Sequence, residues 1–146
     1  MTRYFDTGLL LKLYTEEPES KAIRSFVLSA GEAVPFHTFH RSECASALHL
    51  KAFRGECSKA QANRALADID EDLRSGVLQS VLPEWENVWQ RCFDLVRAHS
   101  AQTGCRVLDS LHVACAEELG FREFVTSDKR QTALAEISGF TVVNPT

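Results

Sequence analysis

The chain has 146 residues, of which 45% are hydrophobic and 25% are charged, a balance typical of one globular domain with a substantial core. Its net charge of −4 comes from 16 basic and 20 acidic residues, which excludes a strongly basic surface that binds polyanions generally. We therefore expect residues 1–146 to form a single domain. There is neither a bilayer-length apolar stretch nor a cationic-then-apolar leader, so we expect a cytoplasmic protein.

The cysteines and histidines do not predict a zinc module or a disulfide scaffold. The chain contains no C-x-x-C pair, its cysteine count is odd, and His37-x-x-His40 alone is a weak zinc signal. Irregularly spaced thiols in an odd number are typical of reduced cysteines in a cytoplasm. The five cysteines are Cys44, Cys57, Cys92, Cys105 and Cys115.

Short apolar runs alternate with longer amphipathic runs, which predicts an α/β fold with a mainly parallel sheet. Proline at a first helical turn, glycine after a last turn and serine at an N-cap set several of the boundaries. In the first half we predict a strand over residues 2–5, a short helix over 8–14, a helix from Pro18 to Gly31, a strand over 33–37, a helix over 39–54 and a helix from the Ser58 cap to about Ser75.

The second half continues the alternation without an internal repeat or a linker. We predict a strand over residues 77–82, a helix over 84–102, a helix over 107–119 ended by Gly120, a strand over 123–127, a helix over 129–138 and a last strand over 140–143.

Four acidic residues lie where a hydrolase acting on phosphate would place them. Asp6 and Asp128 end predicted strands, and open α/β sheets keep their ligand crevice at the carboxyl ends of strands. Glu43 and Asp109 lie in helix-like stretches among small or apolar residues, where a carboxylate is costly unless a positive charge meets it. Oxygen ligands favour a hard cation, so the pattern indicates Mg²⁺ or Mn²⁺.

Each acid also has a simpler interpretation. Asp6, Asp109 and Asp128 could each be a helix N-cap, a role that does not exclude metal binding. Glu43 is predicted in the middle of a helix, so its simpler role is a solvent-facing acid with an ion-pair partner. Glu43 nevertheless shares an inward-looking helical face with Ala47 and Leu50. Without these four acids, the charges balance at 16 to 16.

Four segments, in this order, resemble the motifs of PIN-domain ribonucleases and, among them, of the VapC toxins of toxin–antitoxin pairs. They are YFDTGLLLKLY at residues 4–14, SECASAL at 42–48, RVLDSLHVA at 106–114 and FVTSDKR at 124–130. Many members carry a serine two residues after the first aspartate, whereas this chain has Gly8, which removes a hydroxyl that can orient a ligand.

The resemblance implies a three-layer α/β/α domain that cleaves RNA internally with Mg²⁺ or Mn²⁺ and metal-activated water. It implies that Asp6 and Asp109 bind the cation directly, and that Glu43 and Asp128 help to hold it and to place the attacking hydroxide. By the same resemblance, the residues expected around the substrate are Thr7, which would support Asp6, Thr126, which would line the pocket, and Arg106 and Lys129, which could meet phosphate.

Two protein partners are also implied by the resemblance. A small cognate antitoxin would wrap the chain and block the site with a basic side chain, and the domain would form a homodimer. The first helix carries Leu9, Leu10, Leu11 and Leu13, more apolar side chains than one face needs, which motivates an interface there. A fully buried helix is the alternative.

Other families fit less well. Asp6-Thr7-Gly8 matches the aspartic-protease motif, but that class needs a β-rich fold. A haloacid-dehalogenase phosphatase would want an aspartate at position 8, and a receiver domain would want paired acids after its first strand.

The remaining alternative is a catalytically silent PIN-like module that binds RNA or protein. Four acids kept together despite repulsion argue against it, and Gly8 argues for it.

Overall fold

The computed structural model describes residues 1–146 and contains every predicted element. The strands are β1 (Arg3–Phe5), β2 (Val34–Phe36), β3 (Leu78–Ser80), β4 (Glu123–Val125) and β5 (Thr141–Val143). The helices are α1 (Thr7–Leu11), α2 (Ser20–Ala30), α3 (Thr38–Phe53), α4 (Lys59–Ser75), α5 (Trp85–Thr103), α6 (Val107–Glu118) and α7 (Lys129–Ile137). The largest difference is at α1, which ends three residues before the predicted helix end.

All strand pairs are parallel, as predicted. One ladder has the order β1-β4-β5 and the other pairs β2 with β3. β1 lies beside β2 without ladder hydrogen bonds, so the two ladders form one layer in space. Because the strands are parallel, their carboxyl ends share one edge of the layer, where Asp6 and Asp128 follow β1 and β4.

Helices cover both faces of the sheet, which confirms the three-layer α/β/α prediction. Neighbouring strand residues point to opposite faces. Tyr4 and Phe124 belong to a core formed with α5, α6 and α7, whereas Phe5 and Val125 belong to a second core formed with α1, α2, α3 and α4. None of the helices combines the length and the hydropathy needed to cross a membrane.

The leucines of the first helix fill the second core. Leu9, Leu10 and Leu11 are at most 6% exposed, and Leu13 packs against the same core. The prediction of a dimer interface on these side chains is therefore wrong, and the alternative of a buried helix is correct. The physical reason is that α1 is short and enclosed between β1, α2 and α3, so no side of it faces solvent broadly enough to need polar residues.

Candidate active site

Asp6 and Asp128 each cap a helix at the carboxyl edge of the sheet. Asp6 Oδ2 accepts a hydrogen bond from the Gly8 amide at 3.2 Å, and Asp128 Oδ1 accepts one from the Gln131 amide at 2.8 Å. The Asp6 amide in turn donates to Val125 O at 3.0 Å, which joins the ends of β1 and β4. Capping thus fixes both carboxylates at the strand ends while each keeps acceptor capacity for a ligand.

Asp109 and Glu43 have no capping role. α6 begins at Val107, so Asp109 lies in its first turn, and its carboxylate makes no hydrogen bond within the protein. Glu43 lies within α3, where Oε1 accepts from Thr7 Oγ1 at 2.7 Å and from His112 Nε2. The interpretations of Asp109 as a cap and of Glu43 as a solvent-facing ion-paired acid are therefore wrong.

Gln131 connects three of the acidic residues, and sequence reasoning missed it. Its Nε2 donates to Asp6 Oδ1 and to the Asp109 carbonyl, both at 3.2 Å. Its Oε1 accepts from Thr126 Oγ1 at 2.7 Å, which fixes the amide orientation. Gln131 is three residues after Asp128 on α7, one helical turn away, and this spacing was the only signal in the sequence that could have indicated its position.

Two of the acids, Asp6 and Asp109, lie in an environment that disfavours their charges. Burial raises the pKa of Asp6 above its ordinary value and the Glu43 charge adds to this, although His112 and Gln131 oppose it. Burial also raises the pKa of Asp109, and the charges of Asp6 and Asp128 raise it further. None of the four acids forms an ion pair with a lysine or an arginine. An all-oxygen donor set with uncompensated charge fits a hard divalent cation.

Basic side chains line the outer wall of the site. A cleft of about 360 Å³ is lined by Arg106, Asp109, Asp128, Lys129 and Arg130. Arg106 and Lys129, which were predicted to meet phosphate, are exposed there, and Arg130 adds a third cation. The cleft therefore places positive charge beside the acids within a protein whose net charge is negative.

Thr7 and Thr126 lie behind the acids and do not face the cleft. Thr7 is 6% exposed, and its hydroxyl donates to Glu43 rather than to Asp6. Thr126 is fully buried; its hydroxyl donates to Gln131 and accepts from the Asp128 amide at 3.1 Å. The predictions that Thr7 supports Asp6 and that Thr126 lines the pocket are wrong, because both hydroxyls face inward and are used to hold neighbouring side chains.

Gly8 leaves room for the capped orientation of Asp6. A Cβ atom at position 8 would lie 3.0 Å from Asp6 Oδ2, the oxygen that accepts the Gly8 amide hydrogen. A side chain there would force the carboxylate to shift. The glycine thus allows the close contact between its own amide and the Asp6 carboxylate.

Three buried imidazoles lie beneath Glu43. The ligand nitrogens of His37, His40 and His112 are all within 4.8 Å of one another, a spacing at which three histidines could hold a metal ion. However, every ring nitrogen in the group already has a hydrogen-bond partner in the protein. The group is therefore a hydrogen-bonded network, and the sequence showed only its weak His37-x-x-His40 part.

Comparison with known families resolves the class of the protein. The PIN domain model matches residues 3–137, nearly the whole chain. The chain belongs to the PIN-domain family. The fold and the strand-end acids therefore occur together in a PIN domain, as the four motifs predicted.

Individual proteins resemble the chain along nearly its whole length. Ribonuclease VapC46 of Mycobacterium tuberculosis is 29% identical over 97% of this chain and 96% of its own length. Among solved structures, M. tuberculosis VapC20, a Sarcin-Ricin loop cleaving toxin, has a TM-score of 0.67 at 16% identity and covers 95% of this chain and 96% of its own.

Two further structures show the same fold. FitAcB from Neisseria gonorrhoeae has a TM-score of 0.65 at 16% identity, covering 98% of this chain and 97% of its own. VapBC2 from Rickettsia felis, bound to a DNA fragment from its promoter, has a TM-score of 0.60 at 14% identity, with coverage of 99% and 98%. At these identities the likeness concerns the fold alone.

Proposed function

We propose that this PIN domain is a Mg²⁺- or Mn²⁺-dependent endoribonuclease and the toxin of a type II, VapBC-like toxin–antitoxin pair, acting in the cytoplasm. The observation that carries the proposal is the convergence of Asp6, Glu43, Asp109 and Asp128 without a lysine or arginine counter-ion, beside a basic cleft. The resemblance to Ribonuclease VapC46 along the whole chain supports RNA as the substrate.

The acids have separate roles in this proposal. Asp6 and Asp109 would bind the cation directly, as the family motifs imply, and a cation there would offset the burial and the neighbouring charges that raise the pKa of each. Asp128 and Glu43 would complete the set, in part through water. A bound divalent cation supplies water activation and neutralises charge on the phosphoryl group.

The surrounding residues would orient the acids and the substrate. Gln131 holds Asp6 and the first turn of α6 through two hydrogen bonds, which limits the motion of the acids relative to each other. Arg106 and Lys129 would bind the RNA phosphates on either side of the scissile bond and keep the reacting phosphorus over the acids. The attacking water would lose a proton to solvent as its oxygen bonds to phosphorus, and the departing ribose oxygen would take up a proton from solvent as its bond to phosphorus breaks.

Cleavage of labelled RNA by the purified protein tests this function. We expect cleavage with Mg²⁺ or Mn²⁺ and none with EDTA, because the four acids repel one another and the RNA phosphate without a cation. Arg106→Gln and Lys129→Gln should raise KM more than they lower kcat, since they contact phosphate away from the reacting bond. A folded protein that cleaves no RNA with either metal would favour the catalytically silent RNA- or protein-binding module.

A cognate antitoxin is proposed on two grounds. VapBC2 is among the structures with this fold, and the basic cleft beside the acids is open to a macromolecule. The antitoxin would place a basic side chain against the four acids, which lack a cationic partner within the chain.

We also propose a homodimer, formed through a surface other than α1. Trp89 and Phe93 lie one turn apart on α5, and both side chains are about half exposed. This apolar group is available for a second copy. In sedimentation velocity we expect a dimer for the wild type and a monomer for Phe93→Asp.

The matched control for the dimer is Phe53→Asp, which introduces the same charge at another exposed phenylalanine, on α3. We expect Phe53→Asp to sediment as the wild type does. A wild-type monomer at all concentrations, or equal dissociation in both variants, would contradict the proposed α5 interface.

A further inference from the structure

A chain of buried polar side chains leads from the start of α3 to Glu43. Tyr4, His37, His40 and His112 are each at most 3% exposed, and they pack in the layer between β1, α3 and α6. The Tyr4 hydroxyl lies 2.8 Å from His37 Nε2 and 2.7 Å from His112 Nδ1, and His112 Nε2 contacts Glu43 Oε1. None of these four side chains lines the basic cleft beside the acids, so none of them contacts RNA bound there.

The backbone fixes which nitrogen carries the proton at the far end of this chain. His37 Nδ1 accepts from the His40 amide, and His40 Nδ1 accepts from the His37 amide, both at 3.4 Å. Each ring therefore carries its hydrogen on Nε2. His40 uses that hydrogen on the Phe5 carbonyl at 2.8 Å, and His37 donates its own to the Tyr4 hydroxyl.

The hydrogen bonds then run in one direction, from His37 through Tyr4 and His112 to Glu43. Because the Tyr4 oxygen accepts from His37, its hydrogen is directed to His112 Nδ1. With Nδ1 occupied as an acceptor, His112 presents an N–H at Nε2, which donates to Glu43 Oε1. Thr7 donates to the same oxygen, so Glu43 Oε1 receives two hydrogen bonds and Oε2 is left for a ligand.

The two ends of the network differ in what they hold. His37 and His40 form the reciprocal cap of α3 and secure the end of β1, which are structural roles. Neither the Tyr4 hydroxyl nor the His112 ring caps a helix or bonds a backbone group. The Tyr4 hydroxyl is the hydrogen-bond partner of both His37 Nε2 and His112 Nδ1, so it links the structural end of the network to the end at Glu43.

We propose that Tyr4 and His112, with the proton position set by His37, are positioning residues that hold the Glu43 carboxylate in one orientation for the divalent cation. This inference rests on the proposed function of the four acids. It assigns to the core of the protein a role in metal affinity, because partners that orient a ligating carboxylate change affinity or activity by about 10- to 100-fold when they are removed.

Tyr4→Phe removes one oxygen atom and thereby interrupts the hydrogen-bond network between His37 and His112. We expect a fall of about 10- to 100-fold in Mn²⁺ affinity, measured by calorimetry without RNA, or in kcat, with KM for RNA changed little. The matched control is Tyr14→Phe. It also deletes a tyrosine hydroxyl, one that donates a hydrogen bond to Asp72 Oδ2 on α4 at 2.6 Å, and this hydroxyl bonds none of the four acids. Tyr14→Phe should keep the wild-type Mn²⁺ affinity and kcat.

Variants at His112 separate orientation from packing. His112→Gln keeps an N–H near the place of Nε2, whereas His112→Leu fills similar space without a donor. We expect His112→Gln to recover at least about a tenth of the wild-type Mn²⁺ affinity and His112→Leu to lose more. Equal affinities for these two folded variants would overturn the proposal.

The tautomer itself can be observed in the metal-free wild type by ¹H–¹⁵N correlation of the imidazole rings. We expect the hydrogen of His112 on Nε2, and a mixture or a reversal in Tyr4→Phe. A hydrogen on Nδ1 in the wild type would overturn the proposal even if a variant fails to fold. If the wild type cleaves no RNA, the proposed function fails, but Mn²⁺ affinity and the tautomer still decide on this network.

Discussion

Asp109→Asn is expected to lower the rate of RNA cleavage by about 10²- to 10³-fold, the loss typical when one preorganised charge-stabilising group is removed from an active site. Asp6→Asn should have the same effect. Asparagine preserves shape and volume, and at position 6 it can still cap α1 by accepting from the Gly8 amide. The Asp109 carboxylate makes no hydrogen bond within the protein, so no structural contact is lost there. The change therefore acts on charge at the site.

Asp109→Asn should also raise the melting temperature of the metal-free protein, whereas in Asp6→Asn the loss of the hydrogen bond from Gln131 Nε2 to Oδ1 offsets the same gain. Burial and neighbouring carboxylates raise the pKa values of Asp6 and Asp109, so their ionised forms destabilise the fold at neutral pH, and a neutral amide relieves that repulsion. Loss of activity together with a gain in stability separates a functional site from a structural one. The measurements are single-turnover cleavage with Mn²⁺ and thermal unfolding in EDTA.

The control for these two variants is Asp94→Asn, which removes the same charge from the exposed surface of α5, where the carboxylate accepts only from Gln90. It should change neither the cleavage rate nor the melting temperature. Wild-type cleavage by Asp6→Asn and Asp109→Asn would contradict the assignment of the active site. A lowered melting temperature of Asp109→Asn would instead assign its loss of activity to misfolding.

Acidification from pH 7 to pH 5 is expected to remove about 2 kcal/mol of unfolding free energy through His37 alone. Burial lowers the pKa of His37 to about 3, and His112 adds to this, whereas an unfolded histidine titrates near 6.5. Below pH 6.5 the unfolded chain takes up a proton that the folded chain does not. The stability that His37 contributes is thus present above pH 6.5 and is lost as the pH falls.

The groups around His37 do not reverse this sign. The rings of His40 and His112 and the Tyr4 hydroxyl face it, and the Trp85 ring packs on its edge. Burial also lowers the pKa of His40, which adds a loss of the same sign. Asp6 and Asp109 act in the opposite direction, because groups with raised pKa values gain stability as the pH falls toward those values.

Urea unfolding of the wild type and of His37→Asn at both pH values isolates this contribution. Asparagine can still accept from the His40 amide as the cap of α3, but it does not titrate. The stability loss between pH 7 and pH 5 should be smaller in the variant by about 2 kcal/mol. Identical losses in the two proteins would show that His37 takes up its proton in the folded state.

The order of the elements was predictable because local signals agreed with the tertiary fold. Gly31 ends α2 at φ 63°, Ser58 and Gln61 form the capping box of α4, and short apolar runs became parallel strands. The positions of two of the candidate acids were predictable for a related reason. Asp6 and Asp128 follow β1 and β4 directly, and parallel strands bring such positions together.

The direction in which side chains point at the site was not predictable. The sequence placed Thr7 and Thr126 beside the acids but could not show that both hydroxyls face inward. Tyr4 and His112 are 108 residues apart, and nothing local distinguishes a tyrosine that only packs in a core from one whose hydroxyl orients another residue. The leucines of α1 wrongly indicated a dimer interface for the same reason. Their burial depends on packing against α2 and α3, which cannot be inferred from the sequence of α1 alone.

The pairing of β1 with β4 also determines when during synthesis the acid site can form. The first strand cannot be paired until residues 123–125 are available, and Asp128 and Gln131 follow later still. At typical rates of elongation, roughly 10 s separates synthesis of Asp6 from that of Asp128. A nascent chain therefore contains Asp6 at the end of β1 long before it contains β4 and Asp128. An enzyme with the proposed activity would in this way be unable to act on its own messenger or ribosome until nearly the whole chain has been translated.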